Sequence, residues 1–461
     1  MKAYDLIIVG GGPAGIFTAL EVIEKKPDLK VLILEKGNDI FKRKCVSVEN
    51  NINCTHCSPC SIVCGWGGAG AFSDGKLTLS PEVGGMLDAY ISQQQLIDKI
   101  AYVDRTYLRF GAPEKVYGLE ETEELRDIAR KAILADLKLI PAPIRHLGTG
   151  RTKEILARMK EYLEEKGVDI ITNCKVAQLI TEGDKVTGVT TCKGEEYLAR
   201  FVVVAPGREG SEWLTKEAGR LNINMAINPV DIGVRVELPA PVMEYLTNTI
   251  YESKLIFYSK SFDDKVRTFC MNPYGEVVLE NNDGLITVNG HSHAEKKTEN
   301  TNFALLVSKT FTEPFREPIA YGKYVARLAN LLGGGVLVQR LGDLISGQRS
   351  TIERIKKGLV TPTLKEATPG DLSLVFPYRH LMAIVEMLQA LDKLAPGVYS
   401  RHTLLYGVEV KFYSSRIELT NELETKVKNL YTIGDGAGVT RGLAQASVSG
   451  IIAARSILNK A

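Results

Sequence analysis

Apolar residues occur in short unbroken runs where a buried strand is expected, and at three- and four-residue spacing where a helix is. Residues 4–9 (Tyr-Asp-Leu-Ile-Ile-Val) form an apolar run, 16–25 a helical stripe, and 31–34 a second apolar run. From 37 to 80 this patterning lapses into an irregular stretch rich in glycine and cysteine, densest over 45–80. Helical spacing returns over 86–110 and 121–137, a helical excursion reaching about 140, with a Gly-Ala-Pro turn in its middle. A proline-broken, extended stretch at 139–149 leads to a helix at 151–166 and a strand at 168–172. Short β segments follow, with turns at Glu182-Gly-Asp and Lys193-Gly-Glu, and close on Phe201-Val-Val-Val-Ala205. Strand-like runs at 231–238, 254–259, 267–271, 275–279 and 285–289 come next, with helices predicted at 321–332 and 380–394. The chain ends with strands at 409–413 and 430–433 and a helix at 442–459. The pattern predicts a discontinuous α/β, Rossmann-like domain made of 1–221 and 401–461. An α+β domain built on an antiparallel sheet is inserted at 222–400.

The first strand runs directly into Gly10-Gly11-Gly12-Pro13-Ala14-Gly15, a G-x-G-x-x-G turn opening a helix, and the second strand ends in Glu35-Lys36. That context is the fingerprint of a dinucleotide site. The glycines admit a pyrophosphate, the helix N-terminus supplies N–H groups and positive dipole, and Glu35 takes an unphosphorylated ribose. The far end of the chain offers a second segment for the same site, Leu430-Tyr-Thr-Ile-Gly434-Asp435-Gly436-Ala437-Gly438. Asp435 suits the hydroxyls of an extended dinucleotide. The helix starting near Arg441-Gly442-Leu443-Ala444 suits the edge of a flavin that gains negative charge on reduction, with Arg441 adding a fixed cation. FAD is therefore the expected cofactor. A separate NAD domain is not expected, because Gly333-Gly334-Gly335 follows a helix-like run rather than a strand; NAD(P)H is expected only as an electron donor.

Composition narrows the classes further. A chain of 461 residues with formal charge +2 gives no reason to invoke nucleic acid or acidic membranes. No apolar run is long enough to span a bilayer, and no signal peptide fits a chain whose first strand begins at residue 4. Eight cysteines without an export signal suggest a reducing compartment, so the expectation is a cytoplasmic protein.

Several strings resemble the bacterial and archaeal FAD-dependent dehydrogenases, also described as NAD(P)/FAD-dependent oxidoreductases. They are Gly65-Trp-Gly-Gly-Ala-Gly-Ala-Phe-Ser-Asp-Gly-Lys-Leu77, Ile144-Arg-His-Leu-Gly-Thr149, Ala205-Pro-Gly-Arg208, Leu405-Tyr-Gly-Val-Glu-Val-Lys-Phe-Tyr413 and Gly434-Asp-Gly-Ala-Gly-Val-Thr-Arg-Gly-Leu-Ala-Gln-Ala-Ser447. The resemblance covers nearly the whole chain and implies a glutathione-reductase-type FAD fold. It places Gly67, Gly68, Ala69, Gly70, Ala71, Phe72, Ser73 and Lys76 beside the flavin, with Val176, Ala205, Pro206 and Gly207 completing the cofactor set. Arg145 and His146 are expected to bind substrate or move a proton near the flavin, balanced against a histidine merely satisfied by backbone. Lys411 and Tyr413, two apart on a strand, are candidates for the substrate pocket, balanced against a strand with one polar face. The chemistry expected is hydride transfer between a small organic substrate and flavin N5. A folate- or flavin-dependent tRNA-modifying enzyme and a flavin-bearing redox sensor or structural protein are the alternatives.

The cysteines leave three readings open. Cys54-Thr-His-Cys57-Ser-Pro-Cys60-Ser-Ile-Val-Cys64 has the C-x2-C-x2-C-x3-C spacing of a bacterial ferredoxin segment. A [4Fe–4S] cluster fed by a ferredoxin-like donor would use these thiols, with Cys45 or Cys270 as an alternative fourth ligand. A structural zinc, perhaps with His56, is the second reading, and a Cys57–Cys60 thiol–disulfide pair the third.

Overall fold

The computed structural model describes residues 2–50, 57–73, 75–118, 122–148, 150–226, 228–282, 284–292, 297–311, 315, 317–411 and 416–461. The chain divides into two compact units. The first comprises Met1–Val116, Ile144–Ala226 and Ser414–Ala461, the second Tyr117–Pro143 and Ile227–Tyr413.

In the first unit, four strands line up in parallel in the order Asp169–Ile171, Val31–Leu34, Lys2–Val9 and Glu196–Val204, and Leu430–Thr432 pairs with the last of them. Val31–Leu34 and the ends Leu6–Val9 and Phe201–Val204 are wholly apolar and buried, as strand segments covered on both faces must be. Glu196–Val204 also closes an antiparallel meander with Lys185–Thr191 and Val176–Glu182. The register is such that Ile171, Leu34, Val9, Val204 and Thr432 end side by side. The residue after each of four strands donates its N–H to a neighbour: Gly10 to Leu34, Glu35 to Ile171, Ala205 to Val9 and Ile433 to Val204. All the loops of interest therefore leave the sheet along one edge. The helices Pro13–Lys25 and Gly442–Lys460 pack on each other with little between them. Thr18 Oγ1 donates to the Ala14 and Gly450 carbonyls at 2.9 and 3.3 Å. A Cβ on Gly450 would overlap the Ala14 carbonyl oxygen.

In the second unit an eight-stranded sheet runs in the order Thr368–Pro369, Leu337–Arg340, Leu404–Lys411, Val230–Pro239, Asn300–Lys309, Lys265–Asn272, Lys254–Tyr258 and Lys138–Ile140. Every neighbouring pair is antiparallel except the first. Its core draws on the helices Glu123–Leu134, Ala240–Ile250, Pro318–Gly333 and Tyr378–Leu394.

The structure departs from the sequence pattern in instructive places. The expected helix 86–110 begins only at Gln93, because Ser92 and Gln95 form a capping box; before it lies a single 3-10 turn, Leu87–Ala89. Residues 117–143, expected in the cofactor domain, belong to the second unit, where Lys138–Ile140 forms the sheet edge against Lys254–Tyr258. The strand expected at 409–413 in the cofactor domain is Leu404–Lys411, buried in the second unit between Val230–Pro239 and Leu337–Arg340. Helix Ala240–Ile250 is absent from the pattern because Pro239 and Pro241 read as breakers, whereas they mark its first turn. Strand Asn300–Lys309 is buried along most of its length and so shows no alternation.

Gly450→Ala should cost about 1–3 kcal/mol by prying the two helices apart. Gly219→Ala, in the helix Ser211–Arg220 with no atom near its would-be Cβ, should gain about 0.5 kcal/mol. Urea denaturation of both variants measures the contrast, and equal stabilities would contradict the packing described.

Candidate functional site

Along the carboxyl edge of the first unit's sheet, one side chain gathers three loops. Glu35, buried at the end of the second strand, accepts at Oε2 from the Gly11 N–H (2.8 Å). At Oε1 it accepts from the Gly37 and Gly65 N–H groups (2.8 and 2.9 Å). The carboxylate expected to meet a ribose thus also ties the glycine turn to the loop at 65–73, and Oε2 has a lone pair left to accept with. Arg43, absent from the sequence-based candidates, does the reverse for the same loop. Its guanidinium donates to the carbonyls of Ser61, Ile62, Trp66 and Gly68 at 2.7–2.8 Å. Burial lowers the Arg43 pKa to about 10, against the opposing pull of Glu35, so the side chain remains cationic at neutral pH. A lone arginine outside any motif carries no sequence signal for such a role.

The glycines divide by physical cause. Gly10 has φ +111°, and a Cβ there would overlap the Ala205 carbonyl oxygen; on Gly15 it would overlap that of Gly10. Both are required by the protein's own packing. Gly12 is different. Its φ of −84° suits any residue, and the nearest atom to a Cβ would be the Gly68 Cα at 3.9 Å. Protein packing does not explain this glycine; a position of this kind is what the close approach of a ligand would require. Gly12 caps the helix Pro13–Lys25 without any side-chain hydrogen bond, so the N–H groups of Ala14 and Gly15 are not consumed by a cap.

Gly67, in the left-handed region, starts the 3-10 turn Gly68–Phe72. Its N–H donates to the Gly11 carbonyl at 2.7 Å. Gly70 in this turn faces both Leu443 and Pro13, so the turn meets the starts of the first and last helices together. Ser73 donates its hydroxyl to the Gly70 carbonyl, and Asp74 lies outside the described residues. The last helix begins at Gly442 after the extended Arg441, again with no side-chain cap. Asp435 stands before it; Thr440 Oγ1 donates to its Oδ1 at 2.9 Å, and the Gly442 backbone also donates to it. Burial pushes the Asp435 pKa up, opposed by the positive charges of Arg208 and Arg441. Gly436 packs on the Gly207 backbone and Pro206, joining the terminal segment to Ala205–Gly207. Lys36 is ion-paired with Glu209, and Val176 is buried in the meander. The cofactor candidates at both ends of the chain therefore meet on one edge.

The other candidates fare differently. His146 lies opposite Lys76 in the antiparallel pair of Lys76–Thr78 with Ile144–His146, which brings these two together. Arg145 is engaged as a clamp between segments of the first unit. It is buried, forms a two-point pair with Asp104 (2.6 and 2.7 Å), and donates to the Pro113 and Glu114 carbonyls. Tyr413 and Cys54 lie outside the described residues, as does His56. Among the described residues no three Cys, His, Asp or Glu side chains stand together as a metal site, and no disulfide joins the cysteines. The described thiols Cys45, Cys57, Cys60 and Cys64 thus give the cluster, zinc and disulfide readings no support. The Cys64 thiol is buried, which raises its pKa. No helix is long and apolar enough to cross a membrane among the described residues.

Lys411 belongs to the second unit and to a buried charge network there. Its Nζ is 3.2 Å from Glu409 Oε1 and 3.5 Å from Glu280 Oε2. Glu409 takes a two-point pair from the fully buried Arg235 (2.7 and 2.8 Å). Arg235 also donates to the Cys270 carbonyl and to the Asn272, Asn289 and Asn302 side chains. Burial alone would raise the Glu409 pKa, but Arg235 and Lys411 outweigh it and hold the carboxyl below its ordinary value. Lys411 thus takes part in charge balance inside the sheet, which fits the reading of a strand with a polar face. Glu409→Gln should cost about 3–5 kcal/mol by leaving the buried Arg235 without its carboxylate and Lys411 with Glu280 alone. Chemical denaturation checks it, and a loss under about 1 kcal/mol would contradict the network.

Three family models match parts of the chain. Residues 229–412 match the family model "FAD-dependent protein, C-terminal domain-like". Residues 116–239 match "Pyridine nucleotide-disulphide oxidoreductase", and 5–56 match "Lycopene cyclase protein". An uncharacterized protein of Clostridium beijerinckii is 27% identical over 98% of this chain and 80% of its own. Sarcosine oxidase subunit beta of Arthrobacter sp is 24% identical, with 45% of this chain and 52% of that one covered. L-2-hydroxyglutarate dehydrogenase of Escherichia coli is 28% identical, with 44% of this chain and 47% of that one covered. The chain thus spans about half the length of these two named relatives. The glycine turn and the matched family models together support an FAD-dependent oxidoreductase.

Proposed function

We propose that the chain is an FAD-dependent dehydrogenase or oxidase of a small organic substrate, with the cofactor along the carboxyl edge of the first unit's sheet. The observation that carries this reading is Gly12, a glycine with no protein neighbour to demand it, at an uncapped helix N-terminus. There the N–H groups of Ala14 and Gly15 receive a pyrophosphate, and Glu35, beside them, has acceptor capacity left for a ribose hydroxyl. Asp435 accepts from the hydroxyls of the chain leading to the flavin. Arg441 and the N-terminus of Gly442–Lys460 supply positive potential to the ring edge, and the turn Gly68–Phe72 lets backbone lie close to the ring. When bound, FAD supplies a two-electron acceptor, its N5 taking a hydride from a substrate C–H bond. His146, opposite Lys76, is the side chain offered for moving the accompanying proton. The two named relatives carry names of small carboxylic acids, and such acids, with a C–H next to nitrogen or oxygen, are the substrate class favoured here. Anaerobic mixing of flavin-loaded protein with sarcosine, L-2-hydroxyglutarate and related amino and hydroxy acids tests it. Bleaching of the flavin band by a member of this class supports the reading, and an oxidised spectrum with all of them contradicts the substrate class.

Gly12→Val should leave the fold intact and lower FAD affinity at least about a hundredfold. Gly10→Ala, by contrast, should damage the fold itself. Circular dichroism and flavin retention on gel filtration separate the two, and a Gly12→Val protein with full FAD occupancy would contradict the site.

Asp435 gives a pH signature. Its pKa in the folded state lies above the unfolded value, so its ionisation costs stability as pH rises through that interval. In FAD-stripped protein, Asp435→Asn should therefore raise Tm relative to the parent, by more at pH 8 than at pH 4, while weakening FAD binding. Melting curves across that range check the sign, and a benefit that shrinks with rising pH would contradict it.

A further inference from the structure

Within the second unit a pocket of about 500 Å³ opens at the start of the helix Tyr378–Leu394. That volume lies in the range of small-molecule sites, roughly 300–1,000 Å³. The helix is 17 residues long, and Pro377 before it provides no side-chain cap, so its N-terminal dipole faces the pocket unneutralised. His380, in the first turn, lines the pocket and is 3% exposed. Among the described residues neither of its ring nitrogens has a hydrogen-bond partner. Burial and the neighbouring Lys309 lower its pKa to about 4, so the ring is neutral at physiological pH and holds one N–H donor and one acceptor. A buried donor left unmade costs about 1–3 kcal/mol, which a ligand acceptor would recover.

The charged groups lean the same way. The lining holds three cations, Lys265, Lys309 and Arg379, against two carboxylates, Asp263 and Asp264. Asp264 is already used by Lys309 and by both arms of Arg379 (2.6 and 2.8 Å). Asp264, the buried one of the two carboxylates, is thus taken up, Asp263 is exposed to water, and the Lys309 ammonium and Arg379 Nη1 keep donors beside the unpartnered His380 ring. Also in the lining, Phe311 and Tyr321 meet edge to face with ring centroids 5.1 Å apart, and Tyr321 lies 6.3 Å from the His380 ring, an apolar surface suited to a flat organic group.

We propose that this pocket is a binding site for a small organic monoanion, a carboxylate attached to a planar apolar body. The carboxylate sits at the N-terminus of Tyr378–Leu394 between Lys309, Arg379 and His380, and the body lies against Phe311 and Tyr321. No bond is made or broken in this step; it is recognition alone. The proposal stands apart from the flavin site, since none of its residues belongs to the first unit.

Benzoate is the probe, with benzamide as its neutral counterpart. FAD-loaded, full-length protein labelled at the histidine ring carbon carries six histidine signals, and His380→Phe identifies the relevant one. Benzoate should shift that signal saturably, and benzamide should bind at least about tenfold more weakly. Lys309→Met and the half-exposed Arg379→Gln should each weaken benzoate about tenfold. Flavin absorbance in the same samples reports the cofactor site independently. No saturable shift at millimolar benzoate would overturn the proposal. So would equal affinity for benzamide, or benzoate binding unchanged in a folded Lys309→Met or Arg379→Gln protein.

Discussion

The carboxylate of Glu35 and the guanidinium of Arg43 together solve a problem set by the glycine-rich loop. A loop lying against a buried turn carries N–H and C=O groups that water cannot reach, and each needs a partner. Glu35 accepts N–H groups from Gly11, Gly37 and Gly65, while Arg43 donates to four carbonyls between Ser61 and Gly68. Hydrogen bonds to charged groups are worth about 1.5–3 kcal/mol each, more than neutral ones, and here two opposite charges share one loop. The result is rigid backbone beside the first helix, with Trp66 buried over Gly11 and its Nε1 donating to the Leu156 carbonyl at 2.8 Å. The shape of the cofactor edge depends on that arrangement. Gly12 stays open because the chain around it is held back by these bonds.

Much of the first unit was legible because its signals are local. An apolar run, a glycine turn and an acidic residue at the end of the next strand define a site within 35 residues. Asp435 and the terminal helix were legible for the same reason, as a second strand and turn. What was not legible depends on partners distant in sequence. Arg145 looks like a catalytic cation in isolation, yet Asp104 and two carbonyls near residue 114 occupy it. Lys411 looks like a pocket residue until Arg235 and Glu409, 174 residues apart, are seen to pair beside it. Residues 117–143 read as an extension of the cofactor domain because nothing local shows that Lys138–Ile140 pairs with Lys254–Tyr258.

The second unit shows how a sheet carries charge in its interior. Arg235, Glu409, Lys411 and Glu280 balance two positive against two negative groups, and the asparagines around Arg235 take its remaining donors. Such networks are weak evidence for stability relative to an apolar core, but strong constraints once built, because removing one partner leaves the others exposed to desolvation. Here the network fixes the side-chain register of Val230–Pro239 against Leu404–Lys411. The His380 pocket follows the opposite rule. It leaves both ring nitrogens of His380 without partners among the described residues, which sets it apart from the satisfied network around Arg235.

Hydrogen exchange of FAD-stripped against FAD-loaded protein tests the central assignment most directly. The account predicts slower exchange on loading in three separated segments: the first turn after Gly12, the turn Gly68–Phe72, and the start of Gly442–Lys460. FAD binding without protection in these three segments would contradict the placement of the cofactor on this edge.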